Sequence, residues 1–473
     1  MSKKLTLILA LVIVGGICLP AFAEVQNVKV SGDITVYGIY RDEYDLDSRK
    51  GDGSESEYDD NAFYASIARV RIDADLTDNV GATIRLLNER VWDVEDSCSD
   101  DTSMNLDLAY ITLKEFLYCP LTLTIGRQNL KFGSGLVVGD PDTNAAVGST
   151  ALDGTIAEDL SARKAFDAIR ATLDYSPFTI DLILAKINEV DQTGSTNNGV
   201  EDEDLYGVNV AYNVGQYNSV VEGYLFVKDA DTESTDTTLT GLSPSGDIYT
   251  LGLRGGLEPV KGLTLTGEVA YQFGKAREAG GTERKQRAWA LDLDGGYVWD
   301  NEYTPGIGLG YSYRSGQDPA VTTGKYKAWN PMYEDQTQGI IADYILAGVN
   351  NGVTSNASII KAYGSVKPIK DVTLSANYYN YRLVKALVSA DDSSYDGYTD
   401  SGTTLGTVYM NKSKALGDEI DLGLTYNYTE DVSFGLTAGW FFPGKALKGK
   451  DGNGEKANDD TATSIIGSVK VVF

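Results

Sequence analysis

Apolar and polar residues alternate with a period of two along most of the chain, in stretches of about ten residues. Val70, Ile72, Ala74 and Leu76 fall on one face, with Arg69, Arg71, Asp73 and Asp75 on the other. Leu263, Leu265, Val269, Tyr271 and Phe273 oppose Thr264, Thr266, Glu268 and Gln272. Trp289, Leu291, Leu293, Tyr297 and Trp299 oppose Asp292 and Asp294, while Ile420, Leu422, Leu424, Tyr426 and Tyr428 oppose Asp421, Thr425 and Asn427. A strand projects successive side chains to opposite faces, so each stretch reads as a β-strand with one greasy and one wet side. Eighteen strands are predicted, near 25–44, 62–76, 80–95, 105–116, 121–130, 166–175, 178–190, 204–214, 218–229, 247–257, 262–274, 287–298, 305–315, 357–367, 371–383, 416–428, 432–442 and 462–473.

The gaps between strands come in two sizes that take turns. Short gaps carry turn chemistry, as at Thr77-Asp78-Asn79, Ser176-Pro177 and Thr429-Glu430-Asp431, whereas long gaps are polar and often acidic. Short turns at one rim and long loops at the other are the pattern of a barrel crossing a membrane, with turns in the periplasm and loops outside the cell. In a soluble sandwich the same period would turn the apolar face inward, so the choice rests on other features. One is the N-terminus: Lys3 and Lys4, an apolar run from Leu5 to Leu19, and Ala21-Phe22-Ala23 before Glu24 read as a secretory signal over residues 1–23. Another is the last strand, where Ile465, Val469, Val471 and the terminal Phe473 share a face. Such an ending resembles bacterial outer-membrane β-barrels, whose final strand is read by the barrel-assembly machinery. The expectation is all-β: a single antiparallel transmembrane barrel over residues 24–473, in the outer membrane of a Gram-negative-type bacterium. Trp299, Tyr428 and Trp440 suit aromatic belts at the membrane surfaces.

The formal charge is −28, and loss of Lys3 and Lys4 with the signal leaves −30. That balance repels nucleic acid and attracts cations. The acids gather in loop segments such as Asp42 to Asp60, Asp191 to Asp204 and Asp451 to Asp460, which read as solvated loops or as surface sites for divalent cations. None has the ordered spacing of a calcium loop, and no cofactor or bound metal is expected. Cys98 and Cys119 lie one strand apart at opposite rims, too far for a disulfide, so both are expected as free thiols. The chain contains no histidine, which removes Ser-His hydrolases and the usual zinc hydrolase sites. Channel chemistry is expected rather than catalysis.

Lumen-facing positions on this register include Arg69, Arg71, Arg85, Arg170, Arg254, Arg314, Lys361 and Lys470, against Asp73, Asp75, Glu89, Asp174, Glu222, Glu268, Asp292, Asp294 and Asp421. Each is either part of an ion-attracting field or a salt-bridged wall residue. The loop from Lys131 to Lys164 is the expected constriction. It carries Phe132, Gly133, Gly135 and Asp140 around the apolar run Leu136-Val137-Val138. That run is sheltered if the loop folds into the barrel; the other choice is packing on itself outside.

Ile125-Gly126-Arg127-Gln128, Gly133-Ser134-Gly135-Leu136-Val137-Val138-Gly139-Asp140, Arg163, and Phe166-Asp167-Ala168-Ile169-Arg170 resemble the alginate export family of outer-membrane channels. So do Gly417-Asp418-Glu419-Ile420-Asp421-Leu422 and Phe441-Phe442-Pro443-Gly444. The resemblance implies an eighteen-stranded monomeric conduit for an anionic uronic-acid polysaccharide, with lumen arginines attracting its carboxylates. It points to Arg127 and Arg170, with Arg163 nearby, Arg69 or Arg71 further off, and Asp167 orienting its neighbours. Arg127 shares the parity of Leu121, Leu123 and Ile125, so a lumen position for it requires a β-bulge. The alternatives are a general diffusion porin for small solutes or cations, and an adhesive surface protein working through its acidic loops.

Overall fold

Backbone groups surrounded by hydrocarbon have no water to bond, so strands can cross a membrane only by pairing with one another all the way round. The chain does so. In the computed structural model, described over residues 27–44, 46, 60–92, 104–141, 160–188, 202–215, 217–230, 246–277, 283–345, 354–388, 390–391, 393–398, 404–450, 454 and 459–473, it forms a closed antiparallel barrel of eighteen strands. The signal segment 1–23, Cys98 and most of the acidic loop segments lie outside the described residues.

The strands of the first half are β1 (Asn27–Asp42), β2 (Asp60–Thr77), β3 (Val80–Val91), β4 (Asn105–Leu113), β5 (Leu121–Asn129), β6 (Ala165–Tyr175), β7 (Phe178–Asn188), β8 (Glu203–Asn213) and β9 (Val220–Ala230). Those of the second are β10 (Ile248–Val260), β11 (Leu263–Arg277), β12 (Glu283–Val298), β13 (Gly306–Arg314), β15 (Ala357–Ile369), β16 (Val372–Leu383), β19 (Ala415–Asn427), β20 (Val432–Pro443) and β21 (Ala462–Val472). Three short strands and one helical turn belong to the long loops instead: β14 (Lys325–Tyr326), β17 (Ser393–Tyr398), β18 (Thr404–Met410) and α1 (Ala342–Ile345). Each barrel strand pairs with its sequence neighbour in the barrel, and β1 pairs with β21 to close the ring. At the seam the Phe473 N–H donates to the Gly32 carbonyl at 2.9 Å, and the Gly32 N–H returns a bond to the Phe473 carbonyl at 2.8 Å. Cys119 is a free, exposed thiol in the short β4–β5 turn.

The faces are inverted relative to a water-soluble protein. Leu251 and Leu253 are each 55 % exposed, and Ile307 and Leu309 are exposed as well, whereas Arg41, Asp107, Glu268, Gln272 and Glu419 are buried. The polar-inside rule is not uniform, however. On the extracellular halves of β6 to β12, inward positions such as Ile183, Ala185, Leu205, Ile248, Ala288 and Ala290 are apolar and buried. They form the seat for loops that enter the barrel.

Inward tyrosines brace the wall in one repeated way. The Tyr224 ring on β9 lies over Gly252 on β10, and its hydroxyl donates to Glu268 on β11 at 2.7 Å. The Tyr363 ring on β15 lies over Gly308 on β13, and its hydroxyl donates to Asp294 on β12 at 2.7 Å. A Cβ on either glycine would fall 2.1 Å from the ring, so only glycine admits this flat arrangement.

The inverted faces set an expectation for Leu253→Arg. An exposed leucine on a soluble protein tolerates such a change within about 0.5 kcal/mol. On a lipid face near mid-membrane it costs about 2–4 kcal/mol. Urea unfolding of the vesicle-inserted barrel measures the difference, and a near-neutral result contradicts the placement of this face in lipid.

Candidate functional site in the lumen

Two loops meet inside the barrel. The first, entered from β5, runs along Leu130 to Pro141 and returns through Leu160 to Lys164. Phe132, Leu136, Val137 and Val138 are buried against Phe166, Ile183, Phe226 and Ala290 of the wall. The second lies between β13 and β15, and its Trp329, Met332 and Tyr333 join the same cluster. Gln272 on β11 holds this loop through both backbone groups of Asn330: its Nε2 donates to the carbonyl at 2.6 Å, and its Oε1 accepts from the N–H at 2.9 Å. The loops pair with each other through Val138 and Tyr333, where the Gly139 N–H donates to the Tyr333 carbonyl at 2.7 Å and the Tyr333 N–H to the Val137 carbonyl at 3.0 Å.

Glycine makes the approach possible. Gly133 and Gly135 hold φ of +60° and +81°, in the left-handed region. A Cβ on Gly133 would sit 3.0 Å from both Glu268 carboxylate oxygens, one of which accepts the Ser134 N–H at 3.0 Å. Asp140 accepts from the Lys164 ammonium at 3.0 Å, and the same ammonium reaches Asp335 of the second loop at 2.5 Å. The Lys131 ammonium adds a bond to Asp335 at 2.7 Å. Two ammonium groups of the first loop therefore converge on Asp335. Burial works to raise the Asp335 pKa, but hydrogen bonds from Lys131 and Lys164 outweigh it and hold the carboxyl below its usual range. Burial likewise works to lower the Lys164 pKa, and the charges of Asp140 and Asp335 reverse this and raise it.

The wall beneath the loops carries charge in pairs. Arg69 bonds Asp33 at 2.9 Å, and Arg71 bonds Asp73 at 2.7 and 2.8 Å and donates to the Tyr110 hydroxyl at 3.3 Å. Arg85 pairs with Asp107, and Arg170 with Asp181 at 2.7 Å. Arg254 lies between Glu222 at 3.4 Å and Glu268 at 3.8 Å. Arg71 and Arg85 stand directly opposite on β2 and β3, where like charges repel unless each has its own counter-ion. Arg314, reaching Asp292 at 2.8 and 2.9 Å, accompanies Gln336 of the second loop, which in turn donates to Ser134 of the first at 2.9 Å.

Arg127 and Asp167 are not in this group. The β5–β6 ladder runs from Leu121↔Leu173 to Asn129↔Ala165 with no register shift, so no bulge turns Arg127 inward. It keeps the parity of Leu123 and Ile125, and its guanidinium meets Asp167 at 3.0 Å on the outer surface, where the Asp167 side chain is 62 % exposed. The lumen role that their motifs imply is corrected by the continuous register. Arg163 sits at the foot of the first loop, its backbone N–H on the Ser161 hydroxyl, which itself donates to Glu89 on β3 at 3.0 Å.

Sequence reasoning missed the second loop. Its apolar residues have no regular spacing, and the only signal is the presence of Trp329, Met332 and Tyr333 in a segment too long and too greasy for a solvated loop. Asp33, Asp107 and Asp181 were also overlooked as partners of the arginines, since cross-strand pairing depends on register.

A closed barrel with a wetted, charge-lined bore and loops folded into it defines an outer-membrane channel. Solved structures agree on the fold. The chain aligns over 95 % of its length with 98 % of OccK2 (OpdF) from Pseudomonas aeruginosa, with TM-score 0.53 and 10 % identity. It aligns over 95 % with 97 % of OccK11 (OpdR) from the same organism, with TM-score 0.50 and 11 % identity. No curated protein sequence matches the chain. Residues 38–459 match the alginate export family, and the chain belongs to that family.

Glu334 sets a pH test for the second loop. Burial, followed by the charge of Asp343, pushes its carboxyl from 4.5 up to about 8. A carboxyl raised in the folded state binds its proton there while the open chain has lost it, so the loop's hold weakens as pH climbs from about 4.5 to 8 and stays weak above. Amide exchange across residues 329–343 is expected to be faster at pH 9 than at pH 6 after correction for intrinsic rates. Glu334→Gln is expected to abolish most of that difference, and an unchanged pH dependence in the variant rules out this carboxyl as its source.

Proposed function

We propose that this outer-membrane channel conducts an anionic, uronate-type sugar polymer. The observation that carries the reading is the group of arginines on β2 and β6, where Arg69, Arg71 and Arg170 keep part of the side chain open to the bore while holding one carboxylate each. A sugar carboxylate can replace Asp73 or Asp181 at such a guanidinium through the same charge-assisted hydrogen bonds. Partner exchange of this kind gives a passing polyanion a series of weak stations instead of one tight site, as conduction requires. The two loops, joined by Lys131, Lys164 and Asp335, act as the constriction above these stations. The reading calls for no cofactor and no catalytic step, and one barrel suffices. It places the protein in the outer membrane of a Gram-negative bacterium, where Phe473 serves the assembly machinery.

A second reading, a diffusion porin for small solutes or cations, is favoured by the opposite wall. From β9 to β19 the lumen-facing parity carries the six carboxylates Glu222, Glu268, Asp292, Asp294, Glu419 and Asp421 together with Arg254, Arg314 and Lys361, while Lys228 is held by Glu203 of β8 at 3.0 Å and Arg284 by the Val321 and Lys325 carbonyls of the second loop. Planar-bilayer recording separates the two. Oligo-uronate added to one side is expected to interrupt the current through the wild type. In Arg71→Ala/Arg170→Ala the concentration for half-block is expected to rise at least about tenfold, the loss of one charge-assisted hydrogen bond. A cation-selective current indifferent to oligo-uronate overturns the polymer reading and leaves the porin.

A further inference from the structure

The motif Gly417-Asp418-Glu419-Ile420-Asp421-Leu422 has so far no part in the channel. It lies near the loop-bearing end of β19, where Glu419 points inward and is fully buried. Its carboxylate accepts three successive backbone N–H groups of the second loop, from Ile340 at 2.7 Å, Ile341 at 2.9 Å and Ala342 at 2.8 Å. These donors lead into α1 and have no carbonyl of their own to bond. Tyr381 on β16 donates its hydroxyl to the Gln338 carbonyl at 2.5 Å and lies 3.2 Å from the same carboxylate. Gly339, at φ +107°, admits this approach: a Cβ there would fall 2.4 Å from the Tyr381 hydroxyl and 2.6 Å from a Glu419 oxygen.

The motif Phe441-Phe442-Pro443-Gly444 on β20 completes the seat. The Phe441 ring lies over Gly417, where a Cβ would fall 2.6 Å from it, and its centre is 6.2 Å from that of Tyr381. Ile341, Ala342 and Ile345 are buried in the same apolar cluster. The second loop therefore has two attachments, at Asn330 and at Ile340–Ala342, on strands β11 and β19. Five strand spacings separate them, about 24 Å along the wall. The first attachment is held many times over: by Gln272, by the Gln286 amide on the Ala328 carbonyl at 2.8 Å, and by pairing with the first loop. Polar hold on the second is concentrated in one side chain.

We propose that Glu419 is a positioning residue for the constriction: its carboxylate clasps residues 338–345 against β16 to β20, and the bore widens when that clasp opens. The loop then pivots at Gln336, which Arg314 and Ser134 keep in place. Three N–H groups in a row need an acceptor with two oxygens and no hydrogens, and an ionised carboxylate is the side chain that supplies it. Glutamine in its place turns an NH2 group toward donors, and the buried N–H groups left without an acceptor drive the loop end off its seat. The inference rests on the constriction assigned above and not on which solute crosses it.

The test reads single-channel conductance of the full chain in potassium chloride with no uronate present, so it stands or fails apart from the polymer reading. Glu419→Gln is expected to raise conductance at least about twofold, and Glu419→Asp, which keeps the charge but withdraws the oxygens by one methylene, to do the same. A reversible lock separates movement of the loop from any effect of charge. A Cβ on Gly439 of β20 would lie 2.8 Å from Ile340 Cγ1, the place a cysteine sulfur takes, so Ile340→Cys/Gly439→Cys puts two thiols within bonding reach. The Asp421 oxygen at 2.8 Å from the same Cβ belongs to a side chain that can turn aside. With Cys98→Ser and Cys119→Ser, and Glu419→Gln added, the oxidised pair is expected to return conductance to the wild-type level and reduction to raise it again. Wild-type conductance in either folded Glu419 variant overturns the proposal. So does a raised conductance that the formed disulfide leaves unchanged, or a cysteine pair that stays reduced while Glu419 is in place. Glu419→Asp decides the matter where Glu419→Gln fails to fold.

Discussion

Pairing of backbone groups around a complete ring is the constraint from which the rest of this molecule follows. An unpaired N–H or C=O in hydrocarbon costs several kcal/mol, so the strands must close on themselves, and β1 bonds β21 along ten residue pairs to do it. Closure creates an inside and an outside that alternate residue by residue. Leucine and valine are then stable on the surface, and arginine and aspartate stable within. The inner surface of an eighteen-stranded ring is too wide for its own side chains to fill, so the chain spends two loops there. The apolar seats at Ile183, Ile248, Ala288 and Ala290 exist because those loops bring Phe132, Val138, Met332 and Tyr333 to them.

The lumen combines neutralisation with access. Arginine buried without a partner is too costly to keep, and arginine bound on every side has nothing to offer a solute. Arg71 with Asp73 and Arg170 with Asp181 fall between these limits, each with about a third of the arginine side chain open. Arg314, only 4 % exposed and shared between Asp292 and Gln336, is structural by comparison: it fastens the second loop to the wall.

Period-two alternation and the two gap sizes made the barrel readable, and all eighteen strands lie where the pattern puts them, within a few residues. Parity also made the inward arginines readable, because a strand's face follows from counting by twos. What counting cannot reach is the partner across the strand or the path of a loop. Asp33 opposite Arg69 depends on the β1–β2 register, and the entry of Trp329, Met332 and Tyr333 into the bore depends on seats supplied by strands far away in sequence. Arg127 shows the converse error. A motif suggested the lumen, parity pointed outward, and the unbroken ladder sides with parity.

The flat tyrosines have a bearing on how the bore is sized. With Tyr224 and Tyr363 laid tangentially on Gly252 and Gly308, large rings thicken the wall hardly at all, and their hydroxyls tie together strands that share no hydrogen-bonded ladder. The cylinder is thus stiffened without being narrowed. Size discrimination is left to the inserted segments, and evolution or an engineer can replace those to admit a different cargo while leaving the cylinder as it is.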